Sequence, residues 1–353
     1  MGYVGPIVTT HLRKSHRDAE LVGLDTGFFG ACCLNSIEQP EWALNAQLYK
    51  DVRDVLPQDL AGFDAVIHLA ALSNDPLGSE FQELTIEINR SATLNLAEMA
   101  KSAGVQHFVF ASSCSVYGAG GEHPRTESHP VVPLTAYAES KIGAEQDLEG
   151  IAGRSFLVTS LRFATACGPS PRLRLDLVLN DFVAAALSSG EIQILSDGTP
   201  SRPLIDVRDM ALAIEWALTR KIESGGPFLI MNTGSNSCNA SIAQLADAVA
   251  RVVPGTKILT NPQAPADKRS YRVDFGLFSK LAPNHTPRLT LIESITALFD
   301  QLRDEELPTG DFRKSKFSRL HALLQLKRQS LTSRLYWDRL ALEKQNSEIL
   351  THV

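Results

Sequence analysis

Tyr137 and Lys141 frame the run Tyr-Ala-Glu-Ser-Lys, and upstream of them a serine pair, Ser112 and Ser113, opens the segment Ser-Ser-Cys-Ser-Val-Tyr-Gly that ends at Gly118. On a helix this spacing sets phenol and ammonium on one face, where the ammonium is expected to lower the phenol pKa and make Tyr137 a proton-transfer group near neutral pH. Ser113, standing at a strand end, can hydrogen-bond the same substrate oxygen. Such a trio suits hydride exchange with a secondary alcohol: the carbon gives its hydride to a nicotinamide while the oxygen gives its proton to Tyr137. A Tyr-x-x-x-Lys spacing by itself also describes an ordinary half-buried helical pair, so the weight rests on what surrounds it.

The surroundings are those of an α/β protein. The serines end an apolar, β-branched run at residues 105–111, and a Pro-bounded loop leads from it into the helix that bears Tyr137. Similar runs lie at 20–25, 65–70 and 156–161, and a helical segment at about 81–103 carries Ile88, Leu94, Leu96 and Met99. Alternation of this kind predicts parallel strands with helices on both faces. Past Gly168 the pattern loosens into Pro-rich and Arg-bearing stretches between helices, as a substrate lobe would. The expected division is a dinucleotide-binding domain at 1–166, a mainly substrate-binding lobe at 167–310 with segments returning to the first domain, and a tail at 311–353. In the tail, Phe317, Leu320, Leu323, Leu324 and Leu326 recur at helical spacing among Lys and Arg, which predicts a packed terminal helix, with a partner-binding helix as the alternative.

Composition narrows the function classes. At 353 residues, 44% hydrophobic and 21% charged, the chain has the make-up and length of an ordinary soluble protein with a sizeable core. A net charge of -6 and a pI near 5.9 argue against nucleic acid or an anionic membrane as partner. The five cysteines (Cys32, Cys33, Cys114, Cys167 and Cys238) show no zinc-type spacing, so no metal site is expected. Reduced thiols, no secretory signal at the first residues and no apolar stretch of membrane-spanning length together predict a cytoplasmic location.

A nucleotide site is legible at the start of the chain. Gly2, Tyr3, Val4 and Gly5, followed by a helical run, look like the second half of a dinucleotide fingerprint, where glycines admit the pyrophosphate and the helix N-terminus offers N–H groups. Asp25 follows Gly5 by about twenty residues at a strand end, where its carboxylate would accept bonds from both adenosine ribose hydroxyls; this favours NAD over NADP. Read as plain structure, Asp25 is a turn former before Thr26 and Gly27. Asp51 and Val52 are candidates beside adenine, and Leu69, Ala70 and Ala71 end a strand with small residues where a ligand can pass. The fingerprint ordinarily follows a buried central strand with earlier glycines, and the sequence starts after them. The expectation is therefore that this first strand is missing, with Met1 not the natural start or the chain a damaged copy.

Together these motifs, over residues 2–302, resemble the extended short-chain dehydrogenase/reductase family, the NAD-dependent epimerase/dehydratases acting on nucleotide sugars. The resemblance implies a Rossmann-type doubly wound parallel sheet with a smaller C-terminal substrate lobe, and a homodimer through the helices of Asn89 and Tyr137. It implies Ser113 as the catalytic hydroxyl, Tyr137 as acid/base, and Lys141 as the residue that tunes it and binds the nicotinamide ribose. Asn89, Ser112 and Phe163 fall beside the cofactor. Ser73, Thr165, Asn180, Arg202 and Arg269 fall on the nucleotide-sugar side, a guanidinium being suited to phosphate oxygens. Arg202 has a plainer reading as a surface charge after a turn.

Members that eliminate water carry an Asp-Glu pair after the catalytic serine, and decarboxylases usually keep the Glu; here Cys114 and Ser115 stand there. Dehydration is disfavoured, and 4-epimerisation through transient oxidation at C4 is the expectation. A 4-keto-sugar reductase or epimerase/reductase using Cys114 or Ser115 is one alternative, and a non-catalytic dinucleotide binder is another.

Overall fold

A computed structural model describes residues 1–34, 39–121, 123–260, 270–303, 305, 307 and 311–328. The chain opens with helix α1 (Gly5–Ser15), strand β1 (Val22–Asp25), β2 (Ala46–Tyr49) and β3 (Ala65–His68). Helices α2 (Asp75–Glu80), α3 (Gln82–Ile86) and α4 (Ala92–Ser102) then lead to β4 (His107–Ser113), α5 (Ala136–Ile151) and β5 (Leu157–Phe163). There follow β6 (Thr165–Cys167), α6 (Val178–Ser189), β7 (Glu191–Ile194), β8 (Ser201–Asp206), α7 (Val207–Thr219) and β9 (Phe228–Thr233). The rest comprises β10 (Asn239–Ser241), α8 (Ile242–Val252), β11 (Lys257–Thr260), α9 (Gly276–Leu281), α10 (Leu291–Arg303) and α11 (Arg319–Arg328).

The scaffold of the site is the parallel sheet β3-β4-β5-β9, in which Ser113 stands in register with Phe163, and Phe163 with Thr233. All seven residues of β5 are buried, as in a strand covered on both faces. Alternation along β4 divides the core. Phe108 and Phe110 face α3, α4 and α5, whereas Val109 joins Val8 and Leu12 of α1 and Ile214 of α7. A second parallel pair, β1-β2, holds Asp25 opposite Tyr49. Among the described residues these are two separate hydrogen-bonded sheets. The architecture is the expected Rossmann-type α/β fold.

Beyond β5 the chain builds a second core from α6, α8, α10, β7 and β11, while β9 and α7 return to the sheet. A short mixed sheet, β10-β8-β6, connects the two regions, with Thr165 paired to Leu204. The tail enters this scheme through buried Phe312 and Phe317 in the second core and Leu323 of α11 against the sheet's helices. Residues 329–353 lie outside the described residues.

The helical segment expected at 81–103 is broken. A single π turn, Glu87–Ser91, sits between α3 and α4 and holds Asn89 fully buried. No described helix is long and apolar enough to cross a membrane, and no described cluster of His, Cys, Asp or Glu has the arrangement of a metal site. All five cysteines are free.

Candidate active site

Ser113 is the last residue of β4, at φ -149°, and its Oγ accepts from the Ser115 amide at 3.1 Å as cap of the turn Cys114–Tyr117. Tyr137 is the second residue of α5, whose N-cap Thr135 accepts from the Ala138 amide at 3.2 Å. Helix α2 presses directly on it: a Cβ on Gly78 would lie 3.1 Å from the Tyr137 nitrogen. Strand end and helix start thus bring the two hydroxyls near each other, and Ser113 favours the ionised form of the Tyr137 phenol.

The electrostatics differ from the expectation that Lys141 lowers the phenol pKa. Burial pushes Tyr137 up to about 12, opposed by the nearby Ser113 and the charge of Arg174, and reinforced by Asp75 and Cys114. Lys141 is 3% exposed, and its Nζ donates to the Ala111 carbonyl at 2.7 Å and lies 4.6 Å from the Phe110 ring centre. Burial lowers it to about 7, against the raising effect of Glu145. The ammonium is held by the strand 5.8 Å from the Tyr137 ring centre, and burial disfavours its charge.

Beneath this trio runs a buried polar network. Glu145 Oε1 accepts from Ser112 Oγ at 2.6 Å and Ser160 Oγ at 3.1 Å, and Oε2 accepts from Arg162 Nη2 at 2.6 Å. Arg162 also donates to Tyr117 Oη, which donates to Asn232 Oδ1. Ser112, expected beside the cofactor, instead turns its hydroxyl into the protein.

Next to the residues that flank Ser113 and Tyr137 in the chain is a cleft lined by Asp75, Ser115, Gly118, Leu134, Thr135, Arg202 and Tyr271. The Arg202 guanidinium stands 5.5 Å over the Tyr271 ring, so the guanidinium expected for phosphate shares the cleft with Ser115 and Thr135, each two residues from a member of the trio. Ser115 Oγ is buried there with no partner among the described residues. Burial holds the Cys114 thiol well above its ordinary range, with Sγ donating to the Arg162 carbonyl at 3.1 Å. Asp75 is the cleft residue that sequence reading overlooks. Its signal, Asn-Asp-Pro, is that of a helix start, and Asn74 does cap α2, accepting from the Leu77 amide at 2.8 Å.

The other candidates fall into two groups. Asp25 ends β1 with 27% of its side chain exposed, and Leu69, Ala70 and Ala71 are partly or fully exposed past β3. Phe163 ends β5 beside Ser113. Several expected ligand contacts are instead engaged by the protein. Asn89 accepts from the Leu72 amide at 2.8 Å and donates to the Leu72 carbonyl and Ser140 Oγ. Asn180 accepts from the Gly168 amide and donates to Tyr3 Oη and the Arg174 carbonyl. Ser73 Oγ accepts from Arg174 at 3.0 Å, Asp51 pairs with Arg53 at 2.8 Å, and Val52 is buried in the core. Arg269 lies outside the described residues.

The residues at the start of the chain suit a dinucleotide. Gly2 has open space around its α-carbon, and the amides of Tyr3, Val4 and Gly5, at the head of α1, have no acceptor among the described residues. Tyr3 itself is locked, its Oη donating to the Gly168 carbonyl at 2.6 Å and its carbonyl accepting from Ser170 Oγ at 2.7 Å. Amides at the head of α1 for phosphate, a carboxylate at the end of β1 for ribose and the α5 lysine beside β4 are groups that fit NAD.

A profile described as the NAD dependent epimerase/dehydratase family matches residues 1–234. The chain belongs to this family. NAD is accordingly its cofactor and enzyme its class. Among curated members, a UDP-glucose 4-epimerase of Streptomyces lividans is 28% identical over 273 residues, covering 71% of this chain and 78% of that protein. A UDP-glucuronate 4-epimerase of Thermodesulfobacterium geofontis is 31% identical over 198 residues, 54% of this chain and 57% of that protein. The chain thus spans between about half and four fifths of these two relatives. The solved structure of MoeE5 in complex with UDP-glucose and NAD superimposes with a TM-score of 0.73 at 25% identity, covering 86% of this chain and 96% of that one.

Proposed function

We propose that the enzyme epimerises a nucleotide sugar at C4 through transient oxidation of that carbon. The observation that carries this reading is the closeness of Ser113 to the Tyr137 phenol, whose chain neighbours Ser115 and Thr135 line the cleft, with Cys114 and Ser115 where elimination would need acids. A buried thiol held far above its ordinary range and a serine are poor proton donors, whereas C4 epimerisation asks for only one acid/base. The kinship to UDP-sugar 4-epimerases supports the same reaction and UDP-sugars as the first substrates to try.

As phenolate, the form that Ser113 and the charge of Arg174 favour, Tyr137 takes the proton of the C4 hydroxyl and later returns it; Ser113 bonds the same oxygen and keeps it oriented toward the phenol. NAD, when bound, supplies the reversible hydride acceptor. Asp25 and the amides of residues 3–5 would hold its adenosine and phosphates, and Lys141 and Phe163 would border its nicotinamide end. Arg202 anchors the substrate diphosphate while the hexose turns over between the two half-reactions. In this reading residues 1–166 bind the dinucleotide and 167–310 supply most of the substrate lobe, with a homodimer formed through the helical segments that carry Asn89 and Tyr137.

Incubation of NAD-loaded enzyme with UDP-glucose, followed by proton NMR, tests the reading. The expected result is inversion at C4 to a fixed ratio of epimers with no accumulation of NADH; stoichiometric NADH consumption on a 4-keto sugar would place the enzyme among reductases instead.

A further inference from the structure

Arg319 opens α11 and is 2% exposed, yet among the described residues no carboxylate bonds to it. Its Nη2 donates to the Arg172 carbonyl at 3.2 Å, while Nη1 is buried with no partner among the described residues. Asp176 attracts the charge from nearby, but its oxygens already accept from Arg174 and Asn74. Burial lowers Arg319 to about 10, with Arg174 adding to the effect and Cys32 and Asp176 opposing it. The guanidinium therefore keeps its proton at neutral pH. A buried cation with an open donor is costly until an anion meets it.

The tail that carries this guanidinium crosses the nucleotide end of the molecule. Arg319 Cζ lies 4.5 Å from the centre of the Phe29 ring, in the loop that follows Asp25. Cys32 Sγ donates to the Lys316 carbonyl at 2.9 Å and Lys316 Nζ to the Cys33 carbonyl at 3.1 Å, so the tail is pinned to that loop. It is also pinned to the second region, where the Leu175 amide donates to the Phe317 carbonyl at 3.0 Å. Arg172, whose carbonyl holds Arg319, donates through Nη1 to the Met1 carbonyl at 2.9 Å. Arg319 is thus connected to both halves of the dinucleotide site: directly to the loop after Asp25 and, through Arg172, to the residue before Gly2. The family profile, which matches residues 1–234, does not reach this segment.

Resting on the reading that the dinucleotide lies against Asp25 and residues 3–5, we propose that Arg319 is a phosphoryl-binding residue supplied to the nucleotide site by the tail. The fork of a guanidinium fits phosphate oxygens, and Nη1 is the donor left for them. Phe29 sits in a turn and is partly exposed, so its ring is the cover that moves aside as the anion enters. Both the cofactor and a nucleotide sugar carry a diphosphate; the contacts with the loop after Asp25 favour the cofactor as the source.

Nucleotide binding to wild type, Arg319→Met and Arg319→Gln separates charge from shape. Calorimetry follows NAD and UDP, and ligand-observed NMR follows adenosine, which has no phosphate. NAD is expected to weaken by at least about tenfold in both variants, with adenosine within about twofold of wild type. Weakening confined to UDP supports the phosphoryl site and assigns it to the nucleotide sugar; weakening of NAD, with or without UDP, assigns it to the cofactor. NAD and UDP both within about twofold of wild type, or adenosine weakened as much as the nucleotides, overturns the proposal, as does a wild type that binds neither nucleotide. Arg319→Lys keeps the charge and loses the fork, and it decides alone if the neutral variants do not fold. Weakening of NAD or UDP relative to adenosine by about threefold or more then supports the proposal, and anything less overturns it. None of these measurements needs turnover, so a chain that binds NAD yet epimerises no sugar loses the reaction assignment and keeps the inference.

Discussion

Lys141 donates to the carbonyl of Ala111 across 2.7 Å, tying the start of α5 to the strand whose last residue is Ser113. The bond sets the distance between the two catalytic elements at the expense of the lysine's own charge. Its pKa is lowered to about 7 in the folded state from 10.5, mainly by burial. Between those values the unfolded chain binds a proton that the folded chain does not, so stability rises with pH across this window; below it, the full penalty of a buried ammonium remains. Lys141→Met in nucleotide-free protein is predicted to be more stable than wild type at pH 7, by on the order of 3–5 kcal/mol at most, with the gap closing toward pH 10. Urea unfolding at a series of pH values checks this; a gap that does not change with pH contradicts it.

Glu145 and Arg162 form a buried pair, 3% and 4% exposed. Removing one partner leaves the other charge without compensation, so Glu145→Ala is predicted to cost about 3–5 kcal/mol. Replacing both, as Glu145→Leu with Arg162→Met, is predicted to recover much of that loss. Denaturant midpoints of the two single variants and the double variant decide; equal losses in all three would show that the network does not act as a pair.

Gly118 closes the turn after Ser113 at φ 54°, ψ -108°, and a Cβ there would drive into the Val132 carbonyl oxygen. Gly118→Ala is predicted to cost more than about 2 kcal/mol and to reduce turnover by displacing the serine strand end. Gly104, also at positive φ (87°) but with nothing within 4 Å of such a Cβ, serves as control. Its alanine variant is predicted to lose about 1 kcal/mol and no activity. Thermal unfolding and initial rates of both variants separate backbone strain from collision.

Much of this arrangement is legible in the chain because it rests on short-range rules. The runs at 65–70, 105–111 and 156–161 became β3, β4 and β5, and the spacing of Tyr137 and Lys141 did place both on one helix. What escaped depends on contacts between distant segments. Asn89 and Asn180 carry polar side chains suited to a ligand, yet folding brings Leu72 and Tyr3 within their reach, and a buried amide takes the nearest partners. Lys141 is oriented by the Ala111 carbonyl thirty residues away, which spacing along α5 cannot reveal. Asp75 reads as an ordinary first-turn acid and enters the site only because α2 packs against Tyr137. The strands of the second region, β6, β7, β8, β10 and β11, span three to six residues each, too short for periodicity to register.

The central claim is that Tyr137 drives a reversible oxidation confined to C4. UDP-glucose carrying deuterium at C4 tests it most directly, with product and label followed by NMR. The account predicts C4-inverted product that keeps its deuterium at C4, and a loss of about a hundredfold or more in rate for Tyr137→Phe in protein that still binds NAD. Loss of the deuterium to solvent, or inversion that persists undiminished in Tyr137→Phe, would contradict it.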